Sequence, residues 1–144
     1  MEILQALLSH KDIDLNHTDQ DGRAAIHYAS EKDFFFAILY LLDKKVDTAI
    51  QDSHGNTPLG LCFIHRNLNQ AVLLMRLGVG EGFVYQNGER TSYFSYAFNR
   101  LSVAVCYMLL DNGYPLELAL EEVAHHQAFR KVLIKKYREG RQQL

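Results

Sequence analysis

The chain has 144 residues, enough for a single domain with a sizeable core. Apolar residues make up 48% and charged residues 22%, the balance of an ordinary globular protein, and the formal net charge of −2 excludes general affinity for nucleic acid or anionic membrane. No apolar run is long enough to span a bilayer and no signal-peptide pattern opens the chain, so direct membrane insertion is not expected.

The small net charge hides an asymmetry. Arg130, Lys131, Lys135, Lys136, Arg138 and Arg141 stand against Glu139 alone, so residues 129–144 carry +5 and the remainder −7. Cations at the end of a last helix favour its macrodipole, and that reading outweighs a dedicated anion site. Cys62 and Cys106 fall inside apolar runs, too few and too far apart for a zinc site or a disulfide framework. Buried, reduced thiols in an intracellular protein, cytoplasmic or nuclear, are the expectation.

Taken in order, residues 2–9 carry Ile3, Leu4, Ala6, Leu7 and Leu8 at helical spacing. Residues 1–18 thus look like the second half of an incomplete unit. A helix that begins at the chain start suggests a piece of a longer protein.

The first full unit covers residues 19–51. It opens on the turn Asp19-Gln20-Asp21-Gly22, with helices expected at Ala24–Ala29 and Phe34–Leu42. The second unit, 52–86, opens on Asp52-Ser53-His54-Gly55-Asn56-Thr57-Pro58. Glycine supplies positive φ for the turn, Thr57 reads as an N-cap, and Pro58 sits at the first helical position, where its missing N–H costs nothing. Helices are expected at Pro58–Ile64 and Asn69–Arg76, closed by Gly78 and Gly80.

The third unit, 87–113, opens on Asn87-Gly88-Glu89-Arg90. Its expected helices are Tyr93–Phe98 and Val103–Asp111, with Ser92 in the capping place of Thr57. Gly22, Gly55 and Gly88 recur at an interval of 33 residues, but Gly78 and Gly113 lie 35 apart, so two extra residues are expected near Glu89–Thr91. Residues 114–144 follow a shorter pattern, with helices at Leu116–Ala124 and Ala128–Tyr137 broken at His125-His126. A terminal cap with a polar outer face fits that end. Ala29, Cys62 and Ala97 occupy one position in the three units, small enough to let stacked helices approach closely.

A fixed interval of this size marks a stacked-repeat architecture, and the matching positions identify which. The chain resembles the ankyrin repeat family, whose signature is Asp-x-x-Gly followed by Thr-Pro-Leu-His and, later, Gly-Ala-Asp. Asp52, Gly55, Thr57, Pro58 and Leu59 match, with Gly60 in place of the histidine. Asp19, Gly22, Ile26, His27, Leu41, Leu42 and Asp47 match in the first unit, where Ala24-Ala25 replaces Thr-Pro. In the third unit Ala97, Leu109, Leu110 and Gly113 match. The resemblance implies one all-α domain over 1–144, an ankyrin-repeat solenoid of stacked helix-turn-helix units with β-hairpin-like loops.

It further implies that hairpin tips and the exposed sides of the first helices hold a protein or peptide partner. By position these residues are Gln20, Asp21, Arg23, Glu31, Lys32, Ser53, His54, Asn56, His65, Asn87, Glu89, Arg90, Asn99 and Arg100, with Tyr28 and Tyr96 near the floor. His27 reads as a brace for the hairpin. Phe34-Phe35-Phe36 cannot all face one core, since successive helical positions diverge by about 100°. One ring, Phe35 or Phe36, is expected to be exposed, and self-association through the three is a second use for the cluster. No nucleophile, base and orienter emerge from spacing, and Gly78-Val79-Gly80-Glu81-Gly82 lacks the lysine of a phosphate loop. No cofactor, metal or enzymatic activity is expected. Two other readings stand beside the binding module: a regulatory or docking domain of a larger membrane enzyme or channel, and an enzyme with its site in the tyrosine-lined groove.

Overall fold

The computed structural model describes residues 13–79 and 82–140. The helix expected at residues 2–9 and the stop expected at Gly80 lie outside the described residues. The chain divides into two compact units, residues 1–71 and 72–144.

The first unit is built on a turn used twice. The Asp19 carboxylate accepts the backbone N–H of Asp21 and Arg23 at 2.9 and 3.0 Å. Asp52 does the same for His54 and Asn56 at 3.0 and 2.9 Å. In each turn the aspartate carbonyl accepts from the glycine N–H and its own N–H closes the loop, onto Arg23 O and Asn56 O. A short carboxylate can hold its own backbone in this way, which is why aspartate opens such turns. Gly22 and Gly55 supply φ of +69° and +90°. Consecutive turns touch through Ser53 N–H, which donates to Asp21 O at 2.8 Å. A Cβ on Gly22 would lie 3.1 Å from Ser53 N, so backbone packing as well as φ demands glycine there.

Helix α1 (Ala25–Glu31) follows the first turn and α2 (Phe35–Asp43) folds back from it. Helix α3 (Pro58–Ile64) follows the second turn, and α4 begins at Leu68 and runs to Met75. The bounds of α3 coincide with those read from the sequence. Thr57 Oγ1 accepts Gly60 N–H at 3.2 Å, the capping bond that Thr-Pro encodes. Helix α1 packs on α2 within its own pair and on α3 of the next. Ile26, Ala29, Ile38, Leu59, Cys62 and Phe63 all contribute to the buried core of these helices, and each is 8% exposed or less. Side chains close the joints. The Asn67 amide donates to the carbonyls of Ser30 and Glu31 at 2.7 and 3.2 Å, and buried Gln70 donates to Asp33 at 2.9 Å.

The second unit opens differently. Strands β1 (Phe83–Gln86) and β2 (Glu89–Ser92) pair antiparallel, Gln86 opposite Glu89. Asn87 and Gly88 take φ of +55° and +79°, the two-residue turn whose twist matches the flanking strands. The extra residues expected near Glu89–Thr91 therefore lie in a strand. Tyr85 stands where the first unit has Asp19 and Asp52, so the carboxylate-held turn gives way to a ladder. Helices α5 (Tyr93–Arg100) and α6 (Val103–Asp111) follow as a pair. Ser92 caps α5 through Ser95 N–H, as its alignment with Thr57 predicts. Helix α7 (Leu116–Glu122) packs on α5, and α8 (Gln127–Ile134) passes into a π-helical turn, Lys135–Glu139. The last helix thus begins one residue earlier than expected and changes winding before its end. Phe94, Leu109 and Leu133 are fully buried in this unit.

The second helix of each pair ends in a left-handed residue. Gly78 and Gly113 take φ of +101° and +107°, but the matching position of the first pair is Lys45 at +57°. A Cβ in this region costs about 1 kcal/mol. Lys45→Gly is therefore expected to raise stability by about 0.5–1 kcal/mol, read from the urea midpoint at constant m.

Candidate functional site

In the first unit the exposed side of α1 carries a connected polar cluster. Arg23, at the end of the first turn, donates to Glu31 at 2.7 Å across the length of α1. Its guanidinium carbon lies 4.5 Å from the centre of the Tyr28 ring. The Tyr28 hydroxyl donates to the Asp19 carboxylate, the same group that holds the turn. His65, which caps α3, brings Nε2 to 3.8 Å from the other Glu31 oxygen. The Tyr28 hydroxyl, together with the Arg23 backbone N–H, holds the Asp19 carboxyl below its usual range, and the Arg23 hydrogen bond does the same for Glu31. That bond to Asp19 also raises the Tyr28 phenol.

The arrangement holds two long side chains, Arg23 and Tyr28, in fixed positions. Arginine and tyrosine are the residue types most often found at binding hot spots, and ordering them in advance removes part of the entropic cost of association. Gln20, Asp21, Lys32, Ser53, His54 and His65 are exposed around this cluster, and Arg23 and Glu31 are half-buried. Asn56 departs from the expectation of an exposed contact. It is 3% exposed, because its backbone closes the second turn and its carbonyl faces His27.

His27 explains why the turns and helices keep register. Its Nδ1 accepts Ala24 N–H at 3.0 Å, so the proton sits on Nε2, which faces the carbonyls of Ile50 and Asn56 at 3.0 and 3.2 Å. Burial of the ring pushes its pKa down from 6.5, which favours this neutral form.

In the second unit Asn87, Glu89 and Arg90 are exposed at the hairpin, and Asn99 and Arg100 are exposed at the end of α5. The Arg90 guanidinium lies 3.6 Å from the Phe83 ring centre, while Arg100 lies 5.9 Å from Tyr96. Tyr96 is 6% exposed and donates to Gln86 at 3.2 Å, so it supports the hairpin from beneath. Tyr28, by contrast, is 40% exposed.

Three features escaped the sequence. Asp19 reads as a turn residue, yet its carboxylate also anchors Tyr28. Glu122 on α7 accepts hydroxyls from Ser92 and Ser95 at 2.6 and 2.9 Å and from Tyr114 at 2.7 Å, tying α5 to α7. Nothing local in the chain announces a carboxylate shared by residues 30 and 27 positions away. Lastly, the phenylalanine run exposes two rings rather than one: Phe34 and Phe36 are 59% and 67% exposed, and Phe35 is half-buried. Phe34 precedes the first turn of α2 instead of joining it, which turns its side chain outward.

Cys62 and Cys106 are both free and fully buried, and burial pushes each thiol up to about 12. Among the described residues no group of His, Cys, Asp and Glu is placed to hold a metal ion, and no helix is long and apolar enough to cross a membrane.

Comparison with known proteins agrees with this geometry. The family model for ankyrin repeats matches three copies over residues 1–86. The chain is 29% identical over 77 residues to the target of rapamycin complex 2 subunit AVO2 of Saccharomyces cerevisiae, a match over 54% of this chain and 18% of the yeast protein. The matched region is thus under a fifth of that relative's length. A solved chain from the complex of a predatory endopeptidase of Bdellovibrio bacteriovorus with an immunity protein shares the fold, with a TM-score of 0.76 and 23% identity over 95% of this chain and 76% of that chain. With a turn repeated every 33 residues, paired helices behind it and a family match over more than half its length, the chain belongs to the ankyrin repeat family.

Proposed function

We propose that the chain is a non-catalytic interaction module that holds a protein or peptide partner through its hairpin tips and the exposed sides of its first helices. The repeats are read as 19–51, 52–86 and 87–113, with 114–144 as the cap. The observation that carries this reading is the Asp19–Tyr28–Arg23–Glu31–His65 cluster: an arginine and a tyrosine pre-set on an open face, ringed by exposed hydrogen-bonding groups. The free, buried thiols support an intracellular setting.

A second reading is favoured by the yeast relative, a subunit of a larger complex. There the partner is another subunit of the same assembly, and the chain's role is to dock it.

Both readings share one test. The double variant Gln20→Lys, His54→Glu changes two exposed tips whose side chains make no hydrogen bond or ion pair among the described residues. Affinity capture from a native extract should recover a partner with the wild-type chain and lose it with the variant. The purified pair should show at least a tenfold weaker Kd, about 1.4 kcal/mol. Equal recovery by both baits, with equal thermal melts, would show that the face is elsewhere.

A further inference from the structure

The cap carries a second surface that the hairpin face does not use. We infer that α8 is a docking site for an acidic, extended peptide segment, recognised through Gln127, Arg130, Lys131 and Lys135.

Helix α8 buries Leu133 and half-buries Phe129 toward its unit, and the π-helical turn buries Tyr137. Gln127, Arg130 and Lys131, at helical spacings of three and four, stand together away from that buried stripe. With Ala124 they line a cleft of about 90 Å³. No acid lines it. Other cations of this region are already engaged. Arg138 forks onto the Glu117 carboxylate, and the Lys136 ammonium lies 4.1 Å from the Tyr107 ring centre. Arg130, Lys131 and Lys135 are exposed and make no ion pair or cation–π contact among the described residues. They are positive charge left over after the cap has been stabilised.

Charge complementarity selects an anionic partner, and dimensions select its form. The cleft has room for one carboxylate with its short stem, which the Arg130 fork can take in two parallel hydrogen bonds while the Gln127 amide donates a third. Lys131 and Lys135 are one helical turn apart, about 6 Å along the axis. Alternate side chains of an extended strand are separated by about 6.6 Å. Acidic residues at every second position of an extended segment therefore meet both ammonium groups. A nucleic-acid backbone calls for a longer cationic track than three groups on a chain of net charge −2. A membrane surface calls for an apolar face, and Val132, 48% exposed, is the single large apolar side chain left open on α8.

The test uses a fluorescein-labelled peptide, Gly-Glu-Ser-Glu-Ser-Glu-Gly, titrated with the full chain by anisotropy at low and at physiological salt. Wild type should bind it, and exchange of the three glutamates for glutamine should weaken binding at least tenfold. Arg130→Glu with Lys131→Glu should abolish it while the far-UV melt stays unchanged. If that variant fails to fold, Arg130→Gln alone should still weaken binding several-fold. Indifference to either the peptide change or the protein change overturns the inference. So does equal affinity for duplex DNA or for phosphatidylserine vesicles, which would mark a diffuse cation patch instead of a peptide site.

Discussion

Phe94→Ala is expected to lower stability by about 3–5 kcal/mol, the range for removing a fully buried phenylalanine from a packed core. The ring is 0% exposed, stacks on Tyr114 with centroids 5.6 Å apart, and lies 6.5 Å from Phe129. It therefore joins α5 to the segment before α7 and to α8. A methyl group in its place leaves a cavity bounded by aromatic faces that cannot collapse without moving two helices. Dispersion is lost on every side at once. Against a total of about 5–15 kcal/mol for a domain, such a loss leaves little margin. Urea unfolding should show the midpoint shift, and hydrogen exchange should show faster opening of the α5 and α6 amides. Phe94→Leu should recover more than half of the loss. A change below about 1 kcal/mol for the alanine variant would mean that the ring is not the keystone described.

The second large effect belongs to His27. His27→Ala removes the acceptor for Ala24 N–H and the donor facing the Ile50 and Asn56 carbonyls, all inside a unit where water does not replace them. Unmade buried hydrogen bonds of this kind cost about 2–3 kcal/mol together. The same contacts give a pH signature. The folded pKa lies below the unfolded value of 6.5, so the unfolded chain binds the proton more tightly. The contribution is therefore complete above pH 6.5 and is lost as pH falls through the folded pKa. Wild type should weaken on acidification from pH 7, and a His27→Leu variant should show a flatter slope over that interval. Parallel slopes would sink the assignment of the acid sensitivity to this ring.

The turn at Asp52–Thr57 was readable because each step is local: an aspartate reaching two and four residues on, a glycine for positive φ, a threonine cap and a proline behind it. The bounds of α3 and α6 followed from such signals. His27 was readable as a brace through its place in the repeat. What stayed hidden is set by distance along the chain. The Glu122 carboxylate finds three hydroxyls on other segments, Arg23 reaches Glu31 over the side of α1, and Asn56 turns inward because the first repeat's histidine meets its carbonyl. The phenylalanine run shows a subtler limit. Periodicity states that three rings must diverge, but the start of α2 decides which of them leaves the helix, and that start has no side-chain cap to announce it.

The burial of both cysteines has a practical corollary. A sulfur that stays protonated until about pH 12 and has no solvent access is silent toward maleimides and disulfide reagents. A cysteine introduced at His54, at Gln20 or at Arg130 would then be the sole reactive handle on the molecule. Spin labels, photocrosslinkers or fluorophores could be installed one position at a time on the wild-type background, turning each proposed contact surface into its own reporter.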